Sequence, residues 1–284
     1  MKAPAFAYAK PPTLAEALAL LAHHGDDAKL LAGGQSLVAT LNMRLSSPAI
    51  LIDVTGLPGL GDIALAGAAL RIGALTTHRQ IEHSKLVAEC VPLLAQAAPH
   101  IAHVAIRNSG TIGGSIAFAD PAAEWPACAL AMDATFVLAA PAGERKVPAR
   151  AFFQGLYTTA MGAGEMLTAI EFPILGSGYR SAFLELARRH GDYAIAGVAA
   201  VAQVEAGVLR DLRLGYLGLG AMPLLGRNAM AAAEGKVPSE LVVTATQAAL
   251  ATDLDPIGDL YSNPATKLHL AKVLTKRVLA ALAA

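Results

Sequence analysis

The chain has 284 residues, which is enough for two domains or one large domain with a substantial buried core. Its 22 basic and 22 acidic residues give a formal net charge of 0, so no basic field is available to attract nucleic acid or an anionic membrane surface. Apolar residues make up 55% of the chain and charged residues only 15%, which is a mild indication of assembly with partner chains.

Cysteine usage and the apolar runs indicate the compartment. No stretch reaches the roughly 18 apolar residues of a membrane helix, and residues 1–12 lack the apolar run of a signal peptide. Cys90 and Cys128 are the only cysteines, and they are typical of buried thiols in a cytoplasmic protein. An iron–sulfur cluster takes about four protein ligands, so any cluster would have to belong to a partner chain.

The first part of the chain predicts a parallel βαβ unit. A capping box at residues 13–16 opens a helix that Gly25 would end. A short apolar strand at 29–32 is followed by a glycine turn, a helix at 37–45 and a second strand at 49–54. Helix, strand, glycine turn, helix and strand in this order are typical of parallel pairing.

The rest of the chain predicts mixed elements. Residues 63–74 read as a hairpin, 77–96 and 123–132 as helices, and 135–140 and 165–172 as strands. Glycine and proline in 173–178 indicate a domain boundary. Beyond it we expect a strand at 179–186, a hairpin over 194–219 turning at Ala206-Gly207, and helices from Gly226 onward, the last opened by Asn263-Pro264.

Two glycine segments carry the functional signal. The first, residues 31–37 (LAGGQSL), joins a strand to a helix, and its paired glycines let backbone N–H groups approach an anion. The second, residues 106–116 (IRNSGTIGGSI), has the composition of a loop folded around a polar ligand. The structural alternatives are a tight turn with Ser36 as helix N-cap for the first segment and a bulged strand for the second. Together the segments could bracket the diphosphate of a dinucleotide.

Both segments closely resemble the two FAD-binding signatures of the medium subunit of molybdenum hydroxylases, the family of aerobic carbon monoxide dehydrogenase and xanthine dehydrogenase. Further stretches are similar to that family: residues 72–78 (IGALTTH), 119–124 (ADPAAE) and 188–194 (RRHGDYA). The resemblance covers the whole chain. It implies an α+β fold, with a two-part FAD-binding region of the vanillyl-alcohol-oxidase type and a smaller C-terminal α+β domain of three antiparallel strands with helices. The domains would be 1–176, with subdomains of about 1–57 and 58–176, and 177–284.

The resemblance also implies a role as an electron-transfer subunit. A large molybdopterin subunit would oxidise the substrate, and two [2Fe–2S] clusters in a small subunit would pass electrons to FAD in this chain. Reduced FAD would then reduce NAD, a quinone, a cytochrome or oxygen. Molybdopterin and clusters are expected only in these partners, and the assembly is expected to be a dimer of heterotrimers.

The resemblance assigns cofactor-binding roles to fifteen residues and a catalytic role to none. The first segment would hold one side of the diphosphate and the second segment the other. Asp120 and Glu124 would accept hydrogen bonds from ribityl or ribose hydroxyls, and Tyr193 would approach the isoalloxazine. The residues are Ala32, Gly33, Gly34, Gln35, Ser36, Leu37, Asn108, Thr111, Ile112, Gly113, Gly114, Ser115, Asp120, Glu124 and Tyr193.

Simpler interpretations stand beside several of these roles. Asn108 could cap its turn, Glu124 could be a helix-start carboxylate favoured by the helix dipole, and Tyr193 could be a surface or interface residue. Glu185 reverses the charge of a lysine that many relatives carry nearby.

Other chemistries find little support in the sequence. The eight histidines show no metal-binding spacing, and no nucleophile motif is present. Two other functions stay open at this point. One is a self-sufficient FAD oxidoreductase of the same fold, and the other is a scaffold or maturation subunit with a vestigial flavin site.

Overall fold

The computed structural model describes residues 2–284, and its first part is a small sheet flanked by helices. The elements are β1 (Ala7–Ala9), α1 (Leu14–His24), β2 (Ala28–Leu31), α2 (Leu37–Asn42) and β3 (Ile50–Asp53), with a 3₁₀ turn at Gly25–Asp27. The strand order is β1-β3-β2, and both neighbours of β3 are parallel to it. This confirms the predicted βαβ unit, to which β1 adds a strand that the sequence analysis did not predict.

Local signals explain where these helices begin and end. The hydroxyl of Thr13 accepts a hydrogen bond from the first turn of α1, as the capping box predicts. Gly25 ends α1 with a φ of 53°, a conformation that glycine adopts at little cost. The expected helix at 37–45 ends earlier, at Asn42, because Arg44 adopts a left-handed φ of 58°.

The second part is built on a five-stranded antiparallel sheet in the order β4-β5-β10-β6-β7. Its strands are β4 (Ile63–Ala66), β5 (Ala69–Gly73), β6 (Thr135–Ala140), β7 (Gly143–Pro148) and β10 (Met166–Pro173), and β8 (Phe153–Gly155) pairs separately with β9 (Thr158–Thr159). The predicted hairpin and central strands are confirmed. The edge strand β7 was not predicted, because its sequence GERKVP is charged and mostly exposed.

Short helices pack against this sheet. They are α3 (His78–Glu82), α4 (Lys85–Cys90), α5 (Pro92–Ala97), α6 (Val104–Arg107), α7 (Ile112–Phe118), α8 (Glu124–Met132) and α9 (Ala149–Phe152), with a 3₁₀ turn at Ala98–His100. The second glycine segment is therefore neither an open loop nor a bulged strand. It is a turn between α6 and α7, and its paired glycines lie in the first turn of α7.

The third part is an antiparallel sheet covered on one face by helices. Its strands are β11 (Tyr179–Ala187), β12 (Ala194–Glu205), β13 (Val208–Leu217) and β14 (Leu224–Leu225), and its helices are α10 (Arg227–Ala233), α11 (Glu240–Asp253) and α12 (Pro264–Ala283). The three long strands are those expected, and the short β14 makes the sheet four-stranded. The predicted hairpin turn has positive φ at both Ala206 and Gly207.

Strand β12 joins two hydrophobic cores. Val198 and Ala200 pack in the core formed with α10, α11 and α12, whereas Ala199 and Val201 pack in the core of the second part. Because both faces are buried, the strand is a continuous apolar run instead of an alternating one. Helix α8 lies against β12 and β13 on the side opposite to α12. No helix within residues 2–284 is long and apolar enough to cross a membrane.

Candidate functional site

The two glycine segments lie backbone to backbone. A Cβ atom built on Gly33 would stand 2.1 Å from the carbonyl oxygen of Ser109 and 2.7 Å from the Cα of Gly110. No side chain larger than hydrogen fits such an approach without moving one segment. The structure therefore brings together two motifs that are distant in sequence, the first ending at residue 37 and the second beginning at residue 106.

The first segment presents unused backbone donors. Across residues 2–284, no protein acceptor pairs with the backbone N–H groups of residues 33–37. Gly34 turns the chain with a φ of 71°, and Gln35 Nε2 donates to the carbonyl of Gly33 at 3.0 Å. Ser36 occupies the N-cap position of α2, as the alternative interpretation supposed, but its side chain makes no capping bond and its hydroxyl has no protein partner. A run of free N–H groups around a glycine turn is suited to an anion.

The second segment uses its donors within the protein. The N–H of Ile112 donates to Thr76 O at 3.0 Å, that of Gly113 to Ala74 O at 2.9 Å, and that of Gly114 to Thr111 Oγ1 at 3.1 Å. A Cβ on Gly113 would lie 2.4 Å from the Cβ of Ala74. The Ile112 side chain is fully buried in the core. Gly113 is thus required by close packing, and the free polar groups of this segment are the N–H of Thr111 and several side chains.

The free side chains of this segment include those of Asn108, Ser109 and Ser115. Asn108 is exposed at the end of α6, and Ser115 is half-buried in α7. Thr111 is buried, and its hydroxyl oxygen accepts the hydrogen bond that caps α7. Its hydroxyl proton stays available for donation to another group.

Hydrogen bonds of the buried residues Arg107 and His78 fix the second segment in place. Arg107 Nη1 donates to Ile101 O at 2.9 Å and to Ala102 O at 3.0 Å, and its Nε pairs with Glu82 at 2.9 Å. Trp125 Nε1 donates to Nδ1 of His78 at 2.9 Å. Burial, with a smaller contribution from the charge of Arg107, lowers the pKa of His78 to about 4, so the ring is neutral.

Sequence reasoning did not assign a role to any residue of this network. Arg107 lies inside the second motif, where an arginine could equally have been a ligand for phosphate. In the structure Arg107 stabilises the turn instead, because its guanidinium donates hydrogen bonds to Glu82 and to main-chain carbonyls. His78 also explains why residue 110 is a glycine, because a Cβ there would lie 2.7 Å from His78 Nε2.

A cleft of about 370 Å³ opens beside the first segment and is lined by residues of all three parts of the chain. The rings of Phe118 and Tyr157 stand 5.1 Å apart on one wall. Neither aromatic was predicted as a site residue, and neither lies in a recognisable motif. Polar and aromatic side chains that line the cleft include those of Gln35, Ser36, Phe118, Asp120, Tyr157 and Tyr193.

The two predicted carboxyl groups differ in position, because Asp120 lines the cleft and Glu124 is buried at the start of a helix. Asp120 lines the cleft and accepts a bond from the backbone of Ala122 at 2.9 Å, and burial raises its pKa. Glu124 is the first residue of α8, as its simpler interpretation supposed, and is 8% exposed. Burial, and then the charge of Glu185, raises the pKa of Glu124 to about 8. Burial, Asp120 and Glu124 also raise the pKa of Tyr193, whose ring borders the cleft.

The arrangement defines a dinucleotide-binding flavoprotein site. The free backbone donors of the first segment suit a diphosphate. The contact between the glycine segments keeps side chains away from these donors. The cleft is lined by aromatic residues and bordered by the C-terminal domain, which suits a planar ring. The carboxyl group of Asp120 in the same cleft has the chemistry of an acceptor for sugar hydroxyls. The residues present therefore fit FAD.

Comparison with known proteins identifies the family. Residues 4–175 match the model of the FAD binding domain in molybdopterin dehydrogenase, and residues 181–282 match the CO dehydrogenase flavoprotein C-terminal domain. The 6-hydroxypseudooxynicotine dehydrogenase complex subunit alpha of Paenarthrobacter nicotinovorans is 38% identical over 99% of this chain and 95% of its own length. The chain belongs to the FAD-binding medium subunits of molybdenum hydroxylases.

Solved structures agree with this assignment. Carbon monoxide dehydrogenase from Hydrogenophaga pseudoflava superposes with a TM-score of 0.97 at 38% identity, covering 99% of this chain and 98% of the other. Quinoline 2-oxidoreductase from Pseudomonas putida 86 gives a TM-score of 0.94 at 37% identity, covering 100% and 98%. The expected fold and the FAD cofactor are thereby confirmed, and the chain is an oxidoreductase subunit.

Proposed function

We propose that this chain binds FAD between its glycine segments and its C-terminal domain and relays electrons from [2Fe–2S] clusters of a partner to an external acceptor. The observation that carries the proposal is the run of free N–H groups at residues 33–37 in contact with the second segment. Main-chain donors fixed by the fold need no reorganisation when an anion arrives.

Fourteen of the fifteen predicted site residues have a specific task in this proposal, and the exception is Glu124, which is buried at the start of α8. Residues 32–37 hold the diphosphate through main-chain donors and the Ser36 hydroxyl. Thr111, Gly114 and Ser115 face it from the other side, with Ile112 and Gly113 fixing the shape of that wall and Asn108 reaching it from the turn. Asp120 accepts from sugar hydroxyls, and Tyr193 borders the ring. Bound flavin supplies the redox chemistry, and the chain supplies binding, orientation and the exclusion of water.

The partners follow from the same proposal. Relatives of this chain are named as subunits of multi-subunit dehydrogenases. We assign the iron–sulfur clusters to a small subunit and molybdopterin to a large one, because Cys90 and Cys128 are too few to hold a cluster. A dimer of heterotrimers and a cytoplasmic location belong to the proposal. So do the domain limits of 1–176, with subdomains of about 1–57 and 58–176, and 177–284.

An absorption spectrum of the purified chain, followed by denaturation and identification of the released flavin, tests the proposal. We expect one FAD per chain, in the isolated chain or after co-expression with the two partner subunits. Bound FMN, or absence of flavin from the assembled complex, would contradict the diphosphate assignment. Electron transfer from the clusters to the external acceptor that persists unchanged in a flavin-free complex would contradict the relay.

A further inference from the structure

A second cavity lies where the second and third parts of the chain join. Its volume is about 260 Å³, and it opens beside the linker 174–178, which connects β10 to β11. Residues of α4, α5, α8, the linker, β11 and β12 line it, so both parts contribute walls. None of its lining residues belongs to the cleft or to a glycine segment. At this volume the cavity suits a ligand smaller than a typical drug, whose pockets begin at about 300 Å³.

The deepest residues of this cavity form an apolar floor. Leu93 of α5, Met132 of α8 and Val201 of β12 line the cavity, and each is at most 2% exposed. All three also pack in the hydrophobic core of the second part. Apolar surface of this kind attracts an aliphatic group out of water.

Two opposite charges line the same cavity without pairing. Glu89 of α4 and Arg180 of β11 are both exposed lining residues. Neither takes part in an ion pair within residues 2–284. Nη1 of Arg180 donates to the carbonyl of Leu282 at 2.9 Å, and its Nε and Nη2 have no acceptor in the described chain. Opposite charges that share a cavity and stay apart are each available to the complementary end of one ligand.

The linker adds uncharged donors next to Arg180 in the sequence. Leu175, Gly176, Ser177 and Gly178 all line the cavity. Over the described residues, no protein acceptor pairs with their backbone N–H groups. Gly178 also turns the chain with a φ of 88°. Successive free N–H groups around a glycine turn are suited to an anion, and together with Arg180 they form an anion-binding end of the cavity.

We propose that this cavity binds a small zwitterion with an aliphatic side chain, which is the chemistry of a free apolar α-amino acid. The carboxylate of the ligand binds Arg180 and the linker N–H groups, and its ammonium group binds Glu89. Its side chain lies on the floor formed by Leu93, Met132 and Val201. Glu89 opposes an anion that lacks the ammonium group, and a cation without a carboxylate leaves Arg180 unused.

Such a ligand connects two parts of the fold. Its ammonium group binds α4 of the second part, and its carboxylate binds β11 of the third part. Ligand binding therefore stabilises the packing of the two parts against each other. The inference does not depend on FAD, because the cavity and the cleft share no lining residue.

Cys90 provides a natural reporter for the test. It is a half-buried lining residue, whereas Cys128, the only other cysteine, is fully buried. The full-length chain is reacted with dithiobis(nitrobenzoate) while L-leucine is titrated. We expect leucine to slow the reaction of Cys90 in a saturable manner, which gives its Kd, and Cys90→Ser should abolish the reaction. A reaction rate that leucine does not change would overturn the inference.

Three analogues separate the groups of the proposed ligand. Glycine lacks the aliphatic side chain, isocaproate lacks the ammonium group, and isoamylamine lacks the carboxylate. Each should bind at least about fivefold more weakly than leucine, since even an exposed ion pair contributes up to that factor. Isocaproate that binds as tightly as leucine would indicate a simple anion site and would overturn the zwitterion assignment.

Two substitutions test the charged ends of the cavity. Glu89→Gln should remove the preference for leucine over isocaproate, because the side chain no longer attracts ammonium or repels carboxylate. Glu144→Gln is the matched control and should keep the preference, because Glu144 is an exposed glutamate of β7 that lies outside the cavity. Arg180→Gln keeps a donor for the Leu282 carbonyl and should weaken leucine and isocaproate but not isoamylamine. If Arg180→Gln fails to fold, Glu89→Gln decides: a wild-type preference for leucine in that variant would refute the assignment.

Discussion

Replacing Gly33 with alanine tests the contact between the two glycine segments. The added methyl carbon would stand 2.1 Å from Ser109 O and 2.7 Å from Gly110 Cα, whereas carbon and oxygen normally approach to about 3.3 Å. The segments must therefore separate by about 1 Å, and both neighbours are backbone atoms that cannot rotate away. Overpacking of this kind costs about 1–3 kcal/mol. If this free-energy cost arises in the FAD-bound protein and not in the apoprotein, FAD affinity drops by about 5- to 150-fold.

Two control variants separate this contact from other effects of losing a glycine. Gly61→Ala adds a methyl group in open space with no positive φ and should behave as wild type. Gly67→Ala also meets no atom within 4 Å, but its φ of 61° strains alanine, which should lower unfolding stability by about 1 kcal/mol without affecting FAD. Fluorescence titration of apoprotein with FAD and urea unfolding read the two quantities. Wild-type FAD affinity in Gly33→Ala would refute the reasoning.

Three further changes have distinct outcomes. Gly114→Leu should abolish FAD retention, seen as loss of visible absorption, because its Cβ lies 2.9 Å from Thr111 Oγ1 and its bulk enters the wall of the site; full flavin occupancy would contradict this. Arg107→Leu should lower the urea-unfolding free energy by about 3 kcal/mol, because the half-buried carboxylate of Glu82 and the main-chain carbonyls bonded by Arg107 lose their donor. Burial opposes ionisation of Asp53, but bonds from Thr55, Tyr8 and Lys10 outweigh it and lower its pKa from 3.8 to about 2. The stability that Asp53 contributes is present above pH 3.8 and is lost as the pH falls through 2, so Asp53→Asn should be less stable at pH 7 and should flatten that part of an acid-unfolding curve.

Periodicity and capping predicted most of the fold because the signals were local. The βαβ unit, the 206–207 hairpin and the helix opened by Asn263 each depend on residues within one element or turn. The edge strand β7 and the short β1 were missed because neither shows the apolar alternation of a half-buried strand. The partner of β1 is the distant strand β3, which a local pattern does not contain, whereas β7 forms a hairpin with the neighbouring β6.

The second glycine segment shows a different limit of sequence reasoning. Its composition indicated a ligand loop, yet Gly110 and Gly113 are glycines because His78 and Ala74 approach them across the fold. Tyr157 and Phe118 line the cleft without belonging to a motif, because the turn between β8 and β9 places Tyr157 against Phe118 at the end of α7. Contacts between distant segments determine these positions, and sequence spacing alone does not reveal them.

The first glycine segment therefore supplies donors for an anion, whereas the second mainly makes hydrogen bonds within the protein. Two variants that each remove one hydroxyl group should distinguish these roles. Ser36 has no partner in the protein, so Ser36→Ala should leave apoprotein unfolding unchanged. It should also weaken FAD binding about tenfold, since a hydrogen bond to a charged group is worth about 1.5 kcal/mol. The Thr111 hydroxyl caps α7, so Thr111→Val should cost about 1 kcal/mol of unfolding free energy even without flavin. The reverse pattern, with Ser36→Ala destabilising the apoprotein and Thr111→Val affecting only FAD, would show that the second segment and not the first supplies the anion donors.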